Sequence, residues 1–220
     1  KNDDKDKIAG KNIMNALVRE NYQRNYIING LDKANDEDWI IISDLDEIPN
    51  LEQNDLRKSN NNIVFFKQLM IYYKFNLFLN NFTWIGSKAC KKKHLKSPQW
   101  LRNIKDKKYS FFRIDTFFSK TKYTNVIFIN NGGWHFSNIK NAKEIEHKLK
   151  SYLHHREFDI NPMSEKEIEK IIENKQAIYD LKVDKRVNKI GSGSKLEKYP
   201  LNKLPKFLQS NIKNYQDWID

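Results

Sequence analysis

The stretch Trp39-Ile40-Ile41-Ile42-Ser43-Asp44-Leu45-Asp46-Glu47-Ile48-Pro49 decides how this chain is read. Four apolar residues in a row, three of them β-branched, predict a short strand covered on both faces. That strand runs directly into Asp44, Asp46 and Glu47. Carboxylates crowded at one strand end repel one another and raise each other's pKa unless a cation neutralises them. In an extended segment Asp44 and Asp46 point to one side, while Leu45 turns the other way into packing. Two oxygen ligands on one side, with room for water and a substrate phosphate, suit Mg²⁺ or Mn²⁺. Pro49 stops the strand or opens a helix, which leaves the acids at the carboxyl edge, where open α/β sheets bind their ligands. An acidic turn after a strand is common, however, and Asp-x-Asp occurs by chance, so other residues have to decide.

A chain of 220 residues can bury one sizeable core, and a single domain is the default. With 31% charged and 39% hydrophobic residues the balance is that of a globular protein. The net charge of +12 raises a nucleic-acid or anionic-surface reading, but the positive residues are spread along the chain. Short runs occur only at Lys91-Lys92-Lys93 and from Lys105 to Lys108, and charge this diffuse is ordinarily a solvated face. The single cysteine, Cys90, excludes an internal disulfide and fits a reducing compartment. No apolar run reaches the ~18 residues of a bilayer span and no signal-peptide pattern opens the chain, so the expected location is cytoplasmic. The chain begins at Lys1, which marks a boundary or a processed end.

Strands and helices mingle throughout, which predicts an α/β fold with a mixed sheet. Residues 1–10 are polar and expected to be disordered, residues 11–190 to form the domain, and residues 191–220 to be a flexible Gly-Ser link and a helix packing back on it. Ile13, Leu17, Ile28 and Leu31 have helical spacing between Asn12 and Leu31, with Glu20 and Arg24 inside the stripe. Glu20 and Arg24 read either as a buried ion pair or as part of a site in which Arg19 or Arg24 faces a phosphate. Ile63 to Leu79 predicts one or two strands, Asn80-Asn81 a turn, and Phe82 to Ser87 a return strand. Leu95 to Arg102 predicts a short helix interrupted by Pro98, and Tyr109 to Phe118 strand and loop. Val126 to Ile129 predicts a buried strand leading into a turn at Asn130-Asn131-Gly132-Gly133. Helices follow over Ala142 to His155 and Ser164 to Ile178, the second opened by a Ser164/Glu167 capping box.

His135 follows the two glycines, and a histidine between Trp134 and Phe136 is more often a core residue than a ligand. The predicted turn ahead of it shifts the balance toward a site, because imidazole is a good third ligand beside Asp44 and Asp46. His154, His155 and Glu157 form a second polar cluster at a helix end, where a helix-dipole role is the ordinary reading. No Walker loop, G-x-G-x-x-G, H-E-x-x-H or zinc cysteine set is present, and Cys90 has no visible catalytic base.

Taken together these residues resemble glycosyltransferase family 17, the group containing β-1,4-mannosyl-glycoprotein 4-β-N-acetylglucosaminyltransferase. The resemblance rests on Arg19-Glu20-Asn21-Tyr22-Gln23-Arg24-Asn25 with Gly30-Leu31, on Ser43 to Pro49, and on Gly132-Gly133-Trp134-His135-Phe136-Ser137. Weaker echoes are Trp84-Ile85-Gly86-Ser87, Pro98-Gln99-Trp100-Leu101-Arg102, and Lys150-Ser151-Tyr152 with His154 and Glu157. The resemblance implies a GT-A-like mixed sheet flanked by helices. It also implies inverting transfer of a sugar, N-acetylglucosamine by analogy, from a UDP-sugar to an acceptor glycan. It places Asp46 at a Mn²⁺ or Mg²⁺ ion, Asp44 at the nucleotide ribose or at that metal through water, His135 at the metal or the diphosphate, and Arg19 or Arg24 at the phosphates. Glu20, Trp84, Gly133, Trp134 and His154 fall at the substrate, and Glu47, Asp115 and Glu157 become candidate bases. In GT-A enzymes the nucleotide-binding strands precede Asp-x-Asp by far more than the 43 residues found here, so the expectation is either that part of that half lies outside this sequence or that the protein is a reduced version. The competing readings are a Mg²⁺-dependent phosphohydrolase built on the same acids and a basic module for nucleic acid or an anionic membrane surface.

Overall fold

A computed structural model describes residues 2–151, 158, 162–179 and 193–220. Its contacts divide the chain into two compact units. One comprises Arg19–Leu69 and Thr83–His135, here the Asp44 unit, and the other Lys1–Val18, Met70–Phe82 and Phe136–Asp220, here the C-terminal unit. The α/β class, a sheet with helices against it, is as expected.

In the Asp44 unit, β1 (Trp39–Ile42) runs antiparallel to β5 (Lys88–Lys91), and β5 antiparallel to β3 (Ile63–Tyr72). Period-two alternation sends Ile40, Ile42, Ile63, Phe65 and Cys90 into one core with Leu101, Ile104 and Val126. It sends Val64, Phe66 and Ala89 into a second, covered by Trp39, Ile41, Leu56 and Ile129. Both faces of β1 are therefore packed, as the isoleucine run predicts. A slip of one residue would exchange the two cores, and with ~1.5–3 kcal/mol at stake for each large side chain the register is fixed. This register places Ser43 and the acids just beyond the end of β1. Helix α2 (Pro98–Asn103) lies on β1 and β5 through Leu101. The last turns of α1 (Asn2–Tyr26) meet the start of α2, where Gln99 N donates to Asn25 Oδ1 at 3.0 Å.

The second pairing of this unit sets the site. Strand β2 (Glu47–Pro49) is antiparallel to β6 (Val126–Ser137), with Glu47 opposite His135, Ile48 opposite Trp134 and Pro49 opposite Gly133.

In the C-terminal unit, β4 (Leu77–Trp84) pairs with β7 (Glu197–Lys198). Helices α3 (Ala142–Ser151) and α4 (Glu165–Glu173) pack through Ile145, Leu149 and Ile168. After α5 (Lys206–Asn211) a 3₁₀ segment carries Tyr215, whose ring meets Phe75 edge-on at 5.7 Å. Phe75 N donates to Trp218 O at 2.8 Å.

Several boundaries differ from expectation for local reasons. Helix α1 begins at Asn2 rather than Asn12. The β3–β4 turn falls at Tyr73–Asn76, with Tyr73 at φ 59°, while Asn80-Asn81 lies within β4. Pro98 does not interrupt a helix but starts one: Ser97 caps it by accepting from Trp100 N, and proline at the first position costs no hydrogen bond. No strand forms over Tyr109 to Phe118, which holds a 3₁₀ turn at Ile114–Thr116. The Gly132-Gly133 pair is not a turn either, because β6 continues through it. The capping box of Ser164 and Glu167 is present, and α4 ends at Glu173, short of Ile178. Helix α3 reaches Ser151, and the rest of the helix expected up to His155 lies outside the described residues, as do Gly191 and Ser192.

Candidate active site

The chain leaves β1 at Ile42 and closes a turn in which Glu47 N donates to Asp44 O at 3.0 Å. Asp44, Leu45, Asp46 and Glu47 are thus the four residues of a turn, not an extended segment. Leu45 sits at its corner, fully exposed, instead of turning into packing. The two aspartates are separated by the turn rather than aligned on one strand face.

Glu47 is the buried centre, its side chain only 1% exposed. Arg102 forks onto it, Nη1 to Oε2 at 2.8 Å and Nη2 to Oε1 at 3.1 Å. Trp84 Nε1 donates to Oε1 at 2.7 Å, Asp44 N to Oε2 at 3.0 Å and Ser87 Oγ to Oε2 at 3.3 Å. Ser87 in turn accepts from Ser43 Oγ at 2.7 Å and from Gln68 Nε2 at 3.1 Å. A carboxylate so placed is compensated on both oxygens, which is the condition for burying one. Gly86 makes the geometry available, because a Cβ there would fall on the Glu47 carboxylate and on Trp84 Nε1.

Burial pushes the Glu47 pKa up, but Arg102, Trp84 and the Asp44 N–H outweigh it and hold the group below its ordinary value. A depressed folded-state pKa contributes stability that is fully present above the unfolded value of about 4.3 and is lost as pH falls through the folded one. Thermal melting in a pH series should therefore show Glu47→Gln less stable than the wild type at neutral pH, with the gap closing in acid. A gap that stayed constant down to the acid limb would contradict the assignment.

Arg102 Nη2 also binds Asp44 Oδ2 at 2.7 Å, and Arg24 Nη2 binds Asp44 Oδ1 at 3.0 Å. Arg24 reaches Glu20 at 2.8 Å and Gln99 at 2.5 Å as well. The two arginines thus tie the end of α1, the Asp44 turn and α2 together. Arg102 is held in place from behind by Lys88, whose buried ammonium donates to Arg102 O at 2.8 Å and Ile104 O at 2.5 Å and pairs with Asp106 at 2.7 Å. Burial lowers the Lys88 pKa, offset in part by Asp106. Glu20, Asp44, Asp46 and Glu47 against Arg24 and Arg102 leave two formal negative charges before His135 is counted.

Asp46 Oδ2 lies 3.3 Å from His135 Nε2, and the His135 ring stacks on Trp84 at 4.7 Å. Among the described residues no group of three or more His, Cys, Asp or Glu side chains is arranged to hold a metal ion. The expected set of Asp44, Asp46 and His135 is not assembled as such, because both Asp44 oxygens face guanidinium groups. The remaining pair, Asp46 and His135, offers a carboxylate oxygen and an imidazole nitrogen, donor types that suit a divalent ion.

The other sequence candidates are placed as follows. Asp115 is engaged by Arg113 and Lys122, which hold its pKa well below the usual carboxylate range. Arg19 is exposed. Trp84 serves Glu47 and His135, and Gly133, at φ 136°, leaves room for Ile48 O in the β2–β6 ladder. Trp134 is half-buried, its Nε1 enclosed without a hydrogen-bond partner. His154 and Glu157 lie outside the described residues. Arg102, Gln99 and Ser87 were not among the candidates, although the segments Pro98 to Arg102 and Trp84 to Ser87 carry them.

No curated protein and no solved structure matches the chain. The sequence model described as Glycosyltransferase family 17 matches residues 5–218, which takes in the Asp44 turn, both arginines, Trp84 and His135. This chain belongs to glycosyltransferase family 17.

Proposed function

We propose that this glycosyltransferase moves N-acetylglucosamine from UDP-N-acetylglucosamine to an acceptor glycan with inversion, assisted by Mn²⁺ or Mg²⁺ in a GT-A-like site. The observation that carries the reading is the Asp44–Glu47 turn, pinned by Arg24 and Arg102, with Asp46 beside His135. Because the arginines are already engaged by carboxylates, a diphosphate would meet a cluster with excess negative charge. A divalent ion held by Asp46 and His135 would offset that charge and stabilise the diphosphate as it leaves.

The chain's own residues then act through position. Arg24 and Arg102 each hold one oxygen of the Asp44 carboxylate and so fix the turn, and Glu47 locks Arg102 as a rigid strut. Glu47 itself is a poor base, since its oxygens are occupied and its pKa is lowered. It is a positioning residue.

Calorimetric titration of UDP-N-acetylglucosamine with Mn²⁺ should give binding that EDTA abolishes and that Asp46→Ala weakens at least ~10-fold. An Asp46→Ala protein with unchanged Mn²⁺-dependent affinity would remove Asp46 from the metal. The anomer of the product, read by NMR, decides inversion.

A further inference from the structure

Residues 105–122 form a loop with two sides of different chemistry. It is closed at its neck, where Lys105 N donates to Thr121 O at 2.9 Å. Its inner side is anchored by buried Tyr109 and Thr116, and Thr116 Oγ1 donates to Arg113 O at 2.6 Å. Three cations, Lys107, Arg113 and Lys122, lie within 5.9 Å of the Tyr109 ring centre. The outer side carries Phe111, Phe112, Ile114, Phe117 and Phe118, all exposed, with Phe112 at 90% and Phe118 at 87%. Phe111 meets the rings of Phe112 and Phe117 edge-on at 6.3 and 6.5 Å, so these rings touch one another while facing solvent.

Five large apolar residues stand exposed within eight positions, on a loop tied down by its neck and its inner side, and three of their rings meet one another, a concentration of apolar surface that marks an interaction site. The charge around it names the partner. Lys105, Lys107, Lys108, Arg113, Lys120 and Lys122 stand against Asp106 and Asp115, a net +4. Asp106 is engaged by Lys88, and Asp115 by Arg113 and Lys122. A single-stranded nucleic acid fits less well, because bases stack on open ring faces, whereas Phe111 is set edge-on against Phe112 and Phe117 and Ile114 among them has no ring to stack on. Aromatic side chains ringed by lysines match an anionic lipid surface, where rings enter the boundary between headgroups and acyl chains and ammonium groups meet phosphates.

We propose that the 105–122 loop docks this protein on an anionic membrane surface through Phe111, Phe112, Phe117 and Phe118, with Lys107 and Lys108 supplying the electrostatic attraction. No membrane-spanning segment is required, and among the described residues no helix is long and apolar enough to be one.

Sedimentation of the full chain with vesicles tests this. Binding is expected to vesicles of phosphatidylcholine mixed with phosphatidylglycerol, to weaken in high salt, and to be slight on phosphatidylcholine alone. Phe112→Ser combined with Phe118→Ser should weaken it about 10-fold or more, and Lys107→Glu with Lys108→Glu should abolish the preference for anionic lipid. Phe112, Phe118 and Lys108 are exposed, and Lys107 leaves Arg113 and Lys122 in place over Tyr109, so melting temperatures should stay close to the wild-type value and show that the loss is one of docking. A Phe112→Trp protein should gain blue-shifted emission over the wild type when vesicles are added. No binding to either vesicle, equal binding by the phenylalanine variant, or a wild-type dimer that the phenylalanine variant abolishes would overturn the proposal.

Discussion

Arg102→Leu should destabilise the protein by about 3–5 kcal/mol and abolish sugar transfer together with donor binding. The size follows from what the guanidinium leaves behind. Glu47 would retain a charge on a side chain that is 1% exposed, and Asp44 would lose the partner of its Oδ2. An uncompensated buried carboxylate is among the few defects able to remove a large part of a stability of ~5–15 kcal/mol. Arg102→Lys separates charge from geometry. A lysine restores one positive charge but cannot span both Glu47 oxygens and Asp44, so it should recover part of the melting temperature and little of the donor affinity. Urea unfolding of the three proteins, with donor titration on each, checks both statements. Wild-type melting in Arg102→Leu would show that Glu47 is not held as described.

What the sequence disclosed and what it concealed divide along physical lines. The isoleucines of β1 and the alternation through Ile63 to Phe66 follow from burial on the two faces of a strand, a property of each residue and its neighbours. The Asp44 turn was misread because the same letters suit a strand. One backbone bond from Glu47 N to Asp44 O decides the matter, and it exposes Leu45. The glycines before Trp134 were read as a turn, whereas what requires glycine at position 133 is the close approach of the Ile48 carbonyl across β2–β6. Arg102 escaped notice because its role depends on where α2 docks and on Lys88 beneath it, and neither has a signature in local spacing. The phenylalanines of residues 111–118 were assigned in part to a strand because aromatic residues favour one, and only their exposure distinguishes a docking loop.

Gly86→Ala should be nearly as damaging as loss of Arg102, although it adds one methyl group. The new Cβ would fall 1.6 Å from Glu47 Oε1 and 2.3 Å from Trp84 Nε1, inside the hydrogen bond that joins them, so both side chains must give way. The Glu47 carboxylate is the end of a flexible chain, but each of its oxygens already accepts from Arg102, and moving it breaks charged bonds worth ~1.5–3 kcal/mol each on top of the ~1–3 kcal/mol of overpacking. Moving Trp84 as well strips Glu47 of a donor and unstacks His135, which carries the disturbance to Asp46. Both shifts join the buried half of the site to the Asp46–His135 pair. The expected result is a melting temperature lowered by several degrees and donor affinity reduced at least ~100-fold, more than overpacking at a remote glycine would produce. Trp84→Phe removes the Nε1 that the methyl group strikes, so the Gly86→Ala/Trp84→Phe protein should be more stable than the sum of its single changes allows. A double-mutant cycle by thermal melting measures that coupling, and strict additivity would mean that Gly86 does not act through the Trp84–Glu47 contact.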